Sequence, residues 1–198
     1  MSGSPKEIVI TGGIGSGKTY VCRLFEKLGA PVYYSDSRAK ELVNESLDLK
    51  TKIESLLGSE SYINGTYNTK FVSSRVFNNK QLLQKLNNII HPAVAENYRC
   101  WVAKHHNYPY TVKESALIFE LNLEAQFNKT VLITANEELR IDRVLKRDPW
   151  RGKSEVKAII NKQLSDAEKE SRTNFIISTN KSNLVLPQVL KVHKALLN

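Results

Sequence analysis

The chain has 198 residues, which is enough for one α/β core with one or two small additions and too few for two full-sized domains. Hydrophobic residues make up 41% of it and charged residues 25%, a composition that is typical of globular proteins and excludes an intrinsically disordered one. Its net charge of +9 indicates an anionic partner, either a nucleic acid or a phosphate-bearing small molecule. A basic surface without such a partner would have the same composition.

The sequence has no apolar run near the roughly 20 residues that a transmembrane helix needs. Its apolar stretch at 8–10 is interrupted by Thr11 and Gly12, which is not the pattern of a signal peptide. Cys22 and Cys100 are isolated, so neither a disulfide framework nor a zinc cluster is indicated. These features predict a cytoplasmic protein that has no membrane partner.

Strand and helix patterns alternate along the chain. The first part of the chain predicts a strand at Glu7–Thr11, a helix over 21–28, a strand at Pro31–Tyr34 and a helix that begins at 35–37. Further helices are predicted up to about His106, one of which begins at Pro92. The last part predicts strands at Tyr110–Ile118 and Thr130–Thr134, a helix over Glu137–Leu145, a strand at Phe175–Ser178 and a helix over Leu184–Leu197. This alternation predicts a parallel sheet flanked by helices, with a helical insertion. Ser2-Gly3-Ser4 is predicted to be an unstructured terminus.

The segment Gly12-Gly-Ile-Gly-Ser-Gly-Lys-Thr19 satisfies the P-loop pattern G-x-x-x-x-G-K-[ST], with a predicted strand before it and a helix after it. Its glycines let the backbone approach phosphates, so that N–H groups and the positive end of the helix meet the anion. Lys18 is expected to reach the β- and γ-phosphates, and Thr19 to coordinate Mg²⁺. The residues predicted to bind the nucleotide are Gly13, Ile14, Gly15, Ser16, Gly17, Lys18, Thr19 and Tyr20.

Motifs that are missing from the sequence narrow the class of P-loop protein. The Asn-Lys pairs at 79, 161 and 180 are not followed by the Asp of the guanine-binding motif N-K-x-D, and D-x-x-G is also missing, so a switch GTPase is not indicated. A kinase of a small molecule fits this length best. A nucleotide-dependent module that binds nucleic acid remains an alternative, although no aromatic-rich basic tract accompanies the positive charge.

A kinase needs a carboxylate at the end of a core strand to orient the acceptor hydroxyl and to accept its proton. Asp36 follows the strand at Pro31–Tyr34 and opens the next helix, where a helix N-cap explains it equally well. His91 precedes Pro92, which is typical of a turn.

Four arginines, at positions 140, 143, 147 and 151, follow one another at spacings of three, four and four. On a continuous helix they would form one cationic stripe that could close over the triphosphate and stabilise the charge of the transition state. The alternative is a solvated helix face without a role in catalysis.

With these residues the chain resembles the dephospho-CoA kinase family over nearly its whole length, from Ile10 to Asn180. The P-loop matches the family's narrower T-G-G-I-G-S-G-K-[ST] from Thr11 onward. The other matching segments are Asn64-Gly-Thr66 with Arg75-Val-Phe77 in the middle region, Leu86-Asn-Asn-Ile-Ile-His-Pro92 on L-x-x-I-x-H-P, Ala116-Leu-Ile-Phe-Glu120 on P-L-L-F-E, Arg143 and Arg147 on the R-x-x-x-R lid helix, and Gln163 on a glutamine just beyond it.

The resemblance implies an α/β P-loop NTPase fold of the nucleoside-monophosphate-kinase type, with a parallel five-stranded sheet flanked by helices. It implies one domain, with a nucleotide-binding core at about 6–47 and 108–198, a helical CoA-side insertion at about 48–107, and a short lid at about 140–165. The implied reaction transfers the γ-phosphoryl group of ATP, with Mg²⁺, to the ribose 3′-hydroxyl of dephospho-CoA. A kinase of another small metabolite or nucleotide is the alternative, and neither a nucleic acid nor an obligate protein partner is expected.

The resemblance also implies roles for individual residues. Asp36, on the second acid of the family's D-A-D motif, is the implied catalytic base, assisted by Lys18, Arg143 and Arg147. The implied substrate-binding residues are Asp36, His91 and Glu120.

The chain departs from the family pattern around the acceptor. Tyr34 replaces the first acid of D-A-D, and the arginine that follows this motif is Lys40. The arginine after the G-x-L-x stretch is replaced by Thr69 with Lys70 beside it, and the proline of P-L-L-F-E by Ala116. None of these departures touches the P-loop or Asp36, so they concern how the acceptor is held.

Overall fold

The computed structural model describes residues 4–198, so the predicted unstructured terminus lies largely outside the described residues. The strands of this part of the chain are β1 (Lys6–Thr11), β2 (Val32–Tyr34), β3 (Tyr62–Ile63), β4 (Thr66–Tyr67), β5 (Tyr110–Glu114), β6 (Lys129–Thr134) and β7 (Phe175–Ser178). Its α-helices are α1 (Lys18–Lys27), α2 (Ser35–Glu45), α3 (Leu47–Leu57), α4 (Thr69–Val76), α5 (Lys80–Lys104), α6 (Glu137–Arg147), α7 (Lys153–Asn161), α8 (Asp166–Glu170) and α9 (Val185–Leu197). Over 4–198, no helix has the length and apolar character needed to cross a membrane.

The chain divides into two compact units. The first, which we call the core unit, consists of residues 4–34 and 105–198; the second, the helical unit, is Ser35–Lys104. The helical insertion was predicted to begin near 48, but α2 belongs to the helical unit because it packs against α3 and α5.

A five-stranded parallel sheet with the order β2-β5-β1-β6-β7 forms the centre of the core unit. The strand β1 lies between β5 and β6, and its residues Ile8, Val9 and Ile10 are fully buried. Burial of consecutive residues means that both faces of this strand are covered, as is typical of parallel sheets. The predicted fold class is confirmed, although β5 ends at Glu114, four residues before the predicted end of that strand.

Helices α1 and α9 cover one face of this sheet. Val21 and Phe25 of α1, at helical spacing, and Val189 and Val192 of α9 pack in one buried cluster with the strand residues. Each such side chain contributes about 1.5–3 kcal/mol when it is removed from water. This packing holds the first turn of α1 next to the carboxyl end of β1.

The helical unit contains a hairpin that was predicted as helix. Strands β3 and β4 pair antiparallel across Asn64 and Gly65, whose φ angles of 49° and 79° suit a tight hairpin turn. The Tyr62 hydroxyl donates a hydrogen bond of 2.7 Å to the carbonyl oxygen of Val43 and so ties the hairpin to α2. The Asn-Gly pair is the local sequence signal for this turn.

A single helix, α5, runs through Pro92, so the predicted turn at His91 and the predicted helix start at Pro92 are wrong. Both side chains are exposed. An internal proline removes one backbone hydrogen bond and costs about 3 kcal/mol relative to alanine. The helix tolerates this cost because its other face, including Leu86 and Ile90, packs into the core of the helical unit.

Replacing this proline should therefore stabilise the helical unit. We expect Pro92→Ala to raise the free energy of unfolding by about 1–3 kcal/mol, as measured by urea denaturation followed by circular dichroism. Lys85→Ala, at another exposed position of α5, is the matched control and should change the free energy by less than about 0.5 kcal/mol. A destabilised Pro92→Ala variant would show that the proline ring makes a contact that outweighs the lost hydrogen bond.

Candidate active site

The P-loop occupies the connection between β1 and α1, from Gly12 to Gly17. Gly15 and Gly17 have φ angles of 75° and 94°, a backbone conformation that side chains other than glycine rarely adopt. The first helical residue is Lys18, so the loop leads directly into the positive end of α1. Successive backbone amides and a helix N-terminus form a binding site for phosphate.

The Lys18 ammonium group is held at the P-loop itself. Its Nζ donates hydrogen bonds of 2.8 and 3.1 Å to the carbonyl oxygens of Gly12 and Gly13. The hydroxyl oxygens of Thr11 and Ser16 are buried beside the loop without a hydrogen-bond partner in the described structure. A buried polar group without a partner is costly, so these hydroxyls favour a polar ligand at this place. Thr19 and Tyr20, in the first turn of α1, are exposed.

Two arginines of α6 support the carbonyl side of the loop. Arg140 is buried, and its Nε donates a hydrogen bond of 2.9 Å to the carbonyl oxygen of Ile14. Arg143 donates at 2.8 Å to both Oγ1 and the carbonyl oxygen of Thr179, and at 3.4 Å to the carbonyl oxygens of Gly15 and Ser16. These contacts hold the carbonyl groups of Ile14, Gly15 and Ser16 in place.

The closeness of α6 explains two of the glycines. A Cβ atom at Gly13 would lie 2.0 Å from Nη2 of Arg140, and one at Gly15 would lie 2.4 Å from the carbonyl oxygen of Arg140. A side chain at Gly15 would press on the backbone of α6, whereas one at Gly13 would displace the Arg140 guanidinium from the loop. The pattern G-x-x-x-x-G-K-[ST] leaves both positions open, so these glycines reflect the packing of this fold in addition to the phosphate.

The predicted single arginine stripe is wrong, because α6 ends at Arg147 and Arg151 lies outside the helix. The remaining three arginines have different surroundings: Arg140 is buried, Arg143 is partly buried and Arg147 is exposed. The Arg147 guanidinium donates to both carboxylate oxygens of Asp148, and this contact lowers the pKa of Asp148. The catalytic roles of Arg143 and Arg147 stay predictions.

Sequence reasoning missed Glu114, the last residue of β5, which pairs with Ile10 of β1. It is 9% exposed. Burial raises the pKa of the Cys22 thiol and of the Tyr34 hydroxyl, and the Glu114 carboxylate adds to both shifts, while Lys18 opposes the shift at Cys22. The sequence feature that could have identified Glu114 is its position as an acidic residue in the predicted strand at Tyr110–Ile118.

Two of the residues predicted to act on the acceptor lie in the helical unit. Asp36 is exposed in the first turn of α2, which begins at Ser35. Its carboxylate makes no capping hydrogen bond with the residues described, so the N-cap explanation has no support. A carboxylate at this position is stabilised by the positive end of the helix dipole. His91 is exposed in the middle of α5.

Glu120 lies in the core unit, in the loop after β5. Its Oε1 atom is 2.8 Å from Nζ of Lys169, a fully buried residue of α8, and accepts a hydrogen bond of 3.3 Å from the backbone of Leu164. A cleft of about 510 Å³ adjoins this pair. The Glu120 carboxylate therefore has internal partners, and its role in substrate binding stays a prediction.

The family model and the curated relatives indicate one family. The family model for dephospho-CoA kinase matches residues 7–185. A dephospho-CoA kinase from Bacteroides fragilis is 32% identical over 186 residues, which cover 94% of this chain and 90% of that protein.

Solved structures have the same fold. A protein from Thermus thermophilus, 28% identical, superimposes with a TM-score of 0.88 over 99% of this chain and all of that one. The dephospho-CoA kinase from Campylobacter jejuni, 23% identical, has a TM-score of 0.68 over 95% of both chains. On the extent of the family match and on the identity with its members, the chain belongs to the dephospho-CoA kinase family.

Proposed function

We propose that this chain binds ATP and Mg²⁺ at the P-loop and transfers the γ-phosphoryl group to the ribose 3′-hydroxyl of dephospho-CoA in the cytoplasm, giving CoA and ADP. The observation that carries this proposal is a complete P-loop, supported from behind by α6, in a chain whose family match covers 7–185. The positive net charge suits two substrates that are both rich in phosphate.

The oxygen donors near the P-loop fit a magnesium ion. We propose that the Thr19 hydroxyl and the Glu114 carboxylate hold Mg²⁺, directly or through water. Among the described residues there is no group of three His, Cys, Asp or Glu side chains that could hold a metal. Magnesium does not need such a group, because it keeps several waters and binds through few carboxylates together with substrate phosphates. When bound, it would neutralise charge on the β- and γ-phosphates.

The side chains of the P-loop and α6 would supply the remaining charge. Lys18 would exchange its contacts with loop carbonyls for contacts with phosphate oxygens. Arg143, which donates a hydrogen bond to Thr179, would maintain the conformation of the loop. The exposed Arg147 would stabilise the negative charge that spreads over the transferred phosphoryl group. Asp36 would orient the 3′-hydroxyl and accept its proton, and His91 and Glu120 would contact the acceptor.

An assay of acceptors tests the function directly. The protein is incubated with ATP, Mg²⁺ and, one at a time, dephospho-CoA, shikimate, gluconate, nucleosides and nucleoside monophosphates, and ADP and the phosphorylated product are measured. We expect turnover with dephospho-CoA. Turnover of another acceptor without turnover of dephospho-CoA would contradict the proposal. Retention on heparin that survives saturation with ATP and dephospho-CoA would instead favour nucleic-acid binding.

Loss of Lys18 should abolish transfer without unfolding the protein. Lys18→Ala removes the charge nearest to the migrating phosphoryl group, so kcat should fall about 10²-fold or more. Circular dichroism verifies that the variant is folded, and a coupled assay for ADP measures kcat. A folded variant with near-normal turnover would show that the phosphate role of Lys18 is wrong.

Arg147 should act mainly in the transition state. We expect Arg147→Ala to lower kcat more than it raises KM for ATP, because the interaction strengthens as charge spreads over the phosphoryl group. Lys146→Ala is the matched control, since it removes one positive charge from an exposed neighbouring position of α6. An effect on KM alone would indicate uniform binding, and equal kinetics in both variants would favour a solvated helix face.

Asp36 can be tested by removing its charge alone. Asp36→Asn keeps the shape of the side chain and its ability to interact with a helix N-terminus, so the variant should melt near the wild type. It should still bind ATP and dephospho-CoA, but kcat should fall about 10²-fold or more because an amide cannot accept the hydroxyl proton. Ser37→Ala, at the exposed neighbouring position, should leave kcat unchanged. Wild-type turnover in Asp36→Asn would refute its role as the base.

A further inference from the structure

A bend formed by residues 162–165, between α7 and α8, contacts the P-loop through one side chain. The amide oxygen Oε1 of Gln163 accepts a hydrogen bond of 2.9 Å from the backbone N–H of Ile14 and one of 3.4 Å from Nη2 of Arg140. Arg140 in turn donates to the carbonyl oxygen of Ile14. The three residues thus form a closed ring that uses both backbone groups of Ile14, and we call this ring the clasp.

The bend is fixed on its other side. Leu164, the residue after Gln163, donates its backbone N–H to Glu120, which is paired with the buried Lys169. The helix that follows starts with a capping box in which Ser165 and Glu168 satisfy each other's backbone groups. Gln163 therefore reaches the P-loop from a firmly held support.

Gln163 contributes to the clasp only as a hydrogen-bond acceptor, through its Oε1 atom. Both partners of Oε1, the Ile14 amide and the Arg140 guanidinium, are donors, and the Gln163 amide nitrogen makes no hydrogen bond within residues 4–198. The nearest carboxylate to the buried guanidinium is that of Asp166, at 3.8 Å, which is a long contact. After the Ile14 carbonyl oxygen at 2.9 Å, the Gln163 oxygen at 3.4 Å is thus a closer acceptor for Arg140 than the Asp166 carboxylate.

We propose that Gln163 is a positioning residue for phosphoryl transfer: it holds Ile14, in the middle of the P-loop, at the place set by the bend. The loop itself binds the phosphates, so a shift of Ile14 changes where its neighbouring amides point. Misplacement by about 1 Å can cost about 10²-fold in rate. This inference rests on the proposed kinase function and adds to it a residue that connects the bend between α7 and α8 to the P-loop.

Three substitutions at Gln163 separate its oxygen from its bulk. Gln163→Glu keeps an acceptor of the same length and should retain kcat within about threefold, because both partners are donors. Gln163→Met has a similar length but no comparable acceptor, and should lower kcat about 10- to 10²-fold with little change in KM for dephospho-CoA. Gln163→Asn withdraws the oxygen by one methylene and should behave like the methionine variant. Lys162→Met, at the exposed neighbouring position, is the matched control and should keep wild-type kcat.

Hydrogen–deuterium exchange of the P-loop gives a second readout that does not depend on the acceptor. Exchange of the Ile14 amide should be faster in Gln163→Met and Gln163→Asn than in the wild type, and unchanged in Gln163→Glu and Lys162→Met. A loss of turnover in every protein, with this exchange pattern intact, would overturn the kinase assignment and leave the clasp standing.

The proposal is overturned if Gln163→Asn or a folded Gln163→Met has wild-type kcat and wild-type exchange at Ile14. It is also overturned if Gln163→Glu loses as much kcat as Gln163→Met, because the acceptor would then not be what matters. Gln163→Asn decides the matter if Gln163→Met does not fold, since it retains the polarity of the glutamine.

Discussion

The P-loop depends on donors that satisfy its carbonyl groups. A loop that turns its N–H groups toward a phosphate turns several carbonyl oxygens away from it, and buried carbonyl oxygens need partners. Arg140 and Arg143 supply these partners from α6, and Thr179, just after β7, donates at 2.7 Å to the carbonyl oxygen of Ser16. The shape of the phosphate site is therefore set jointly by the strand that precedes it and by two segments far along the chain.

This arrangement constrains Gly13 and Gly15 in two ways, through the packing of Arg140 and through the approach of phosphate. Arg140 can reach the loop only because Gly13 and Gly15 have no side chain, and a Cβ at either place would meet an Arg140 atom at 2.4 Å or less. Both glycines would also let phosphate approach the backbone closely from the other side. Both α6 and a bound triphosphate can therefore approach the loop backbone closely. A shift of α6 would move the loop and, with it, the place where the triphosphate binds.

The predictable parts of the fold are those that a local sequence pattern determines. The P-loop follows from a short motif, and the five core strands follow from short apolar runs. The course of α5 through Pro92 was not predictable, because tertiary burial of its apolar face outweighs a local penalty. The different surroundings of Arg140 and Arg147 also could not be predicted from their spacing. Spacing predicts which residues share a helix face, but not which residues pack against that face.

The replacement of the family's first acid by Tyr34 can be understood from its surroundings. Tyr34 has a neutral side chain at physiological pH, and burial together with the Glu26 carboxylate of α1 raises the pKa of its hydroxyl further. The negative charge that the family places at the end of β2 is absent there. Glu26 of α1 and Glu114 of β5 both raise the pKa of the Tyr34 hydroxyl, so two carboxylates act electrostatically at the position where the family pattern has an acid.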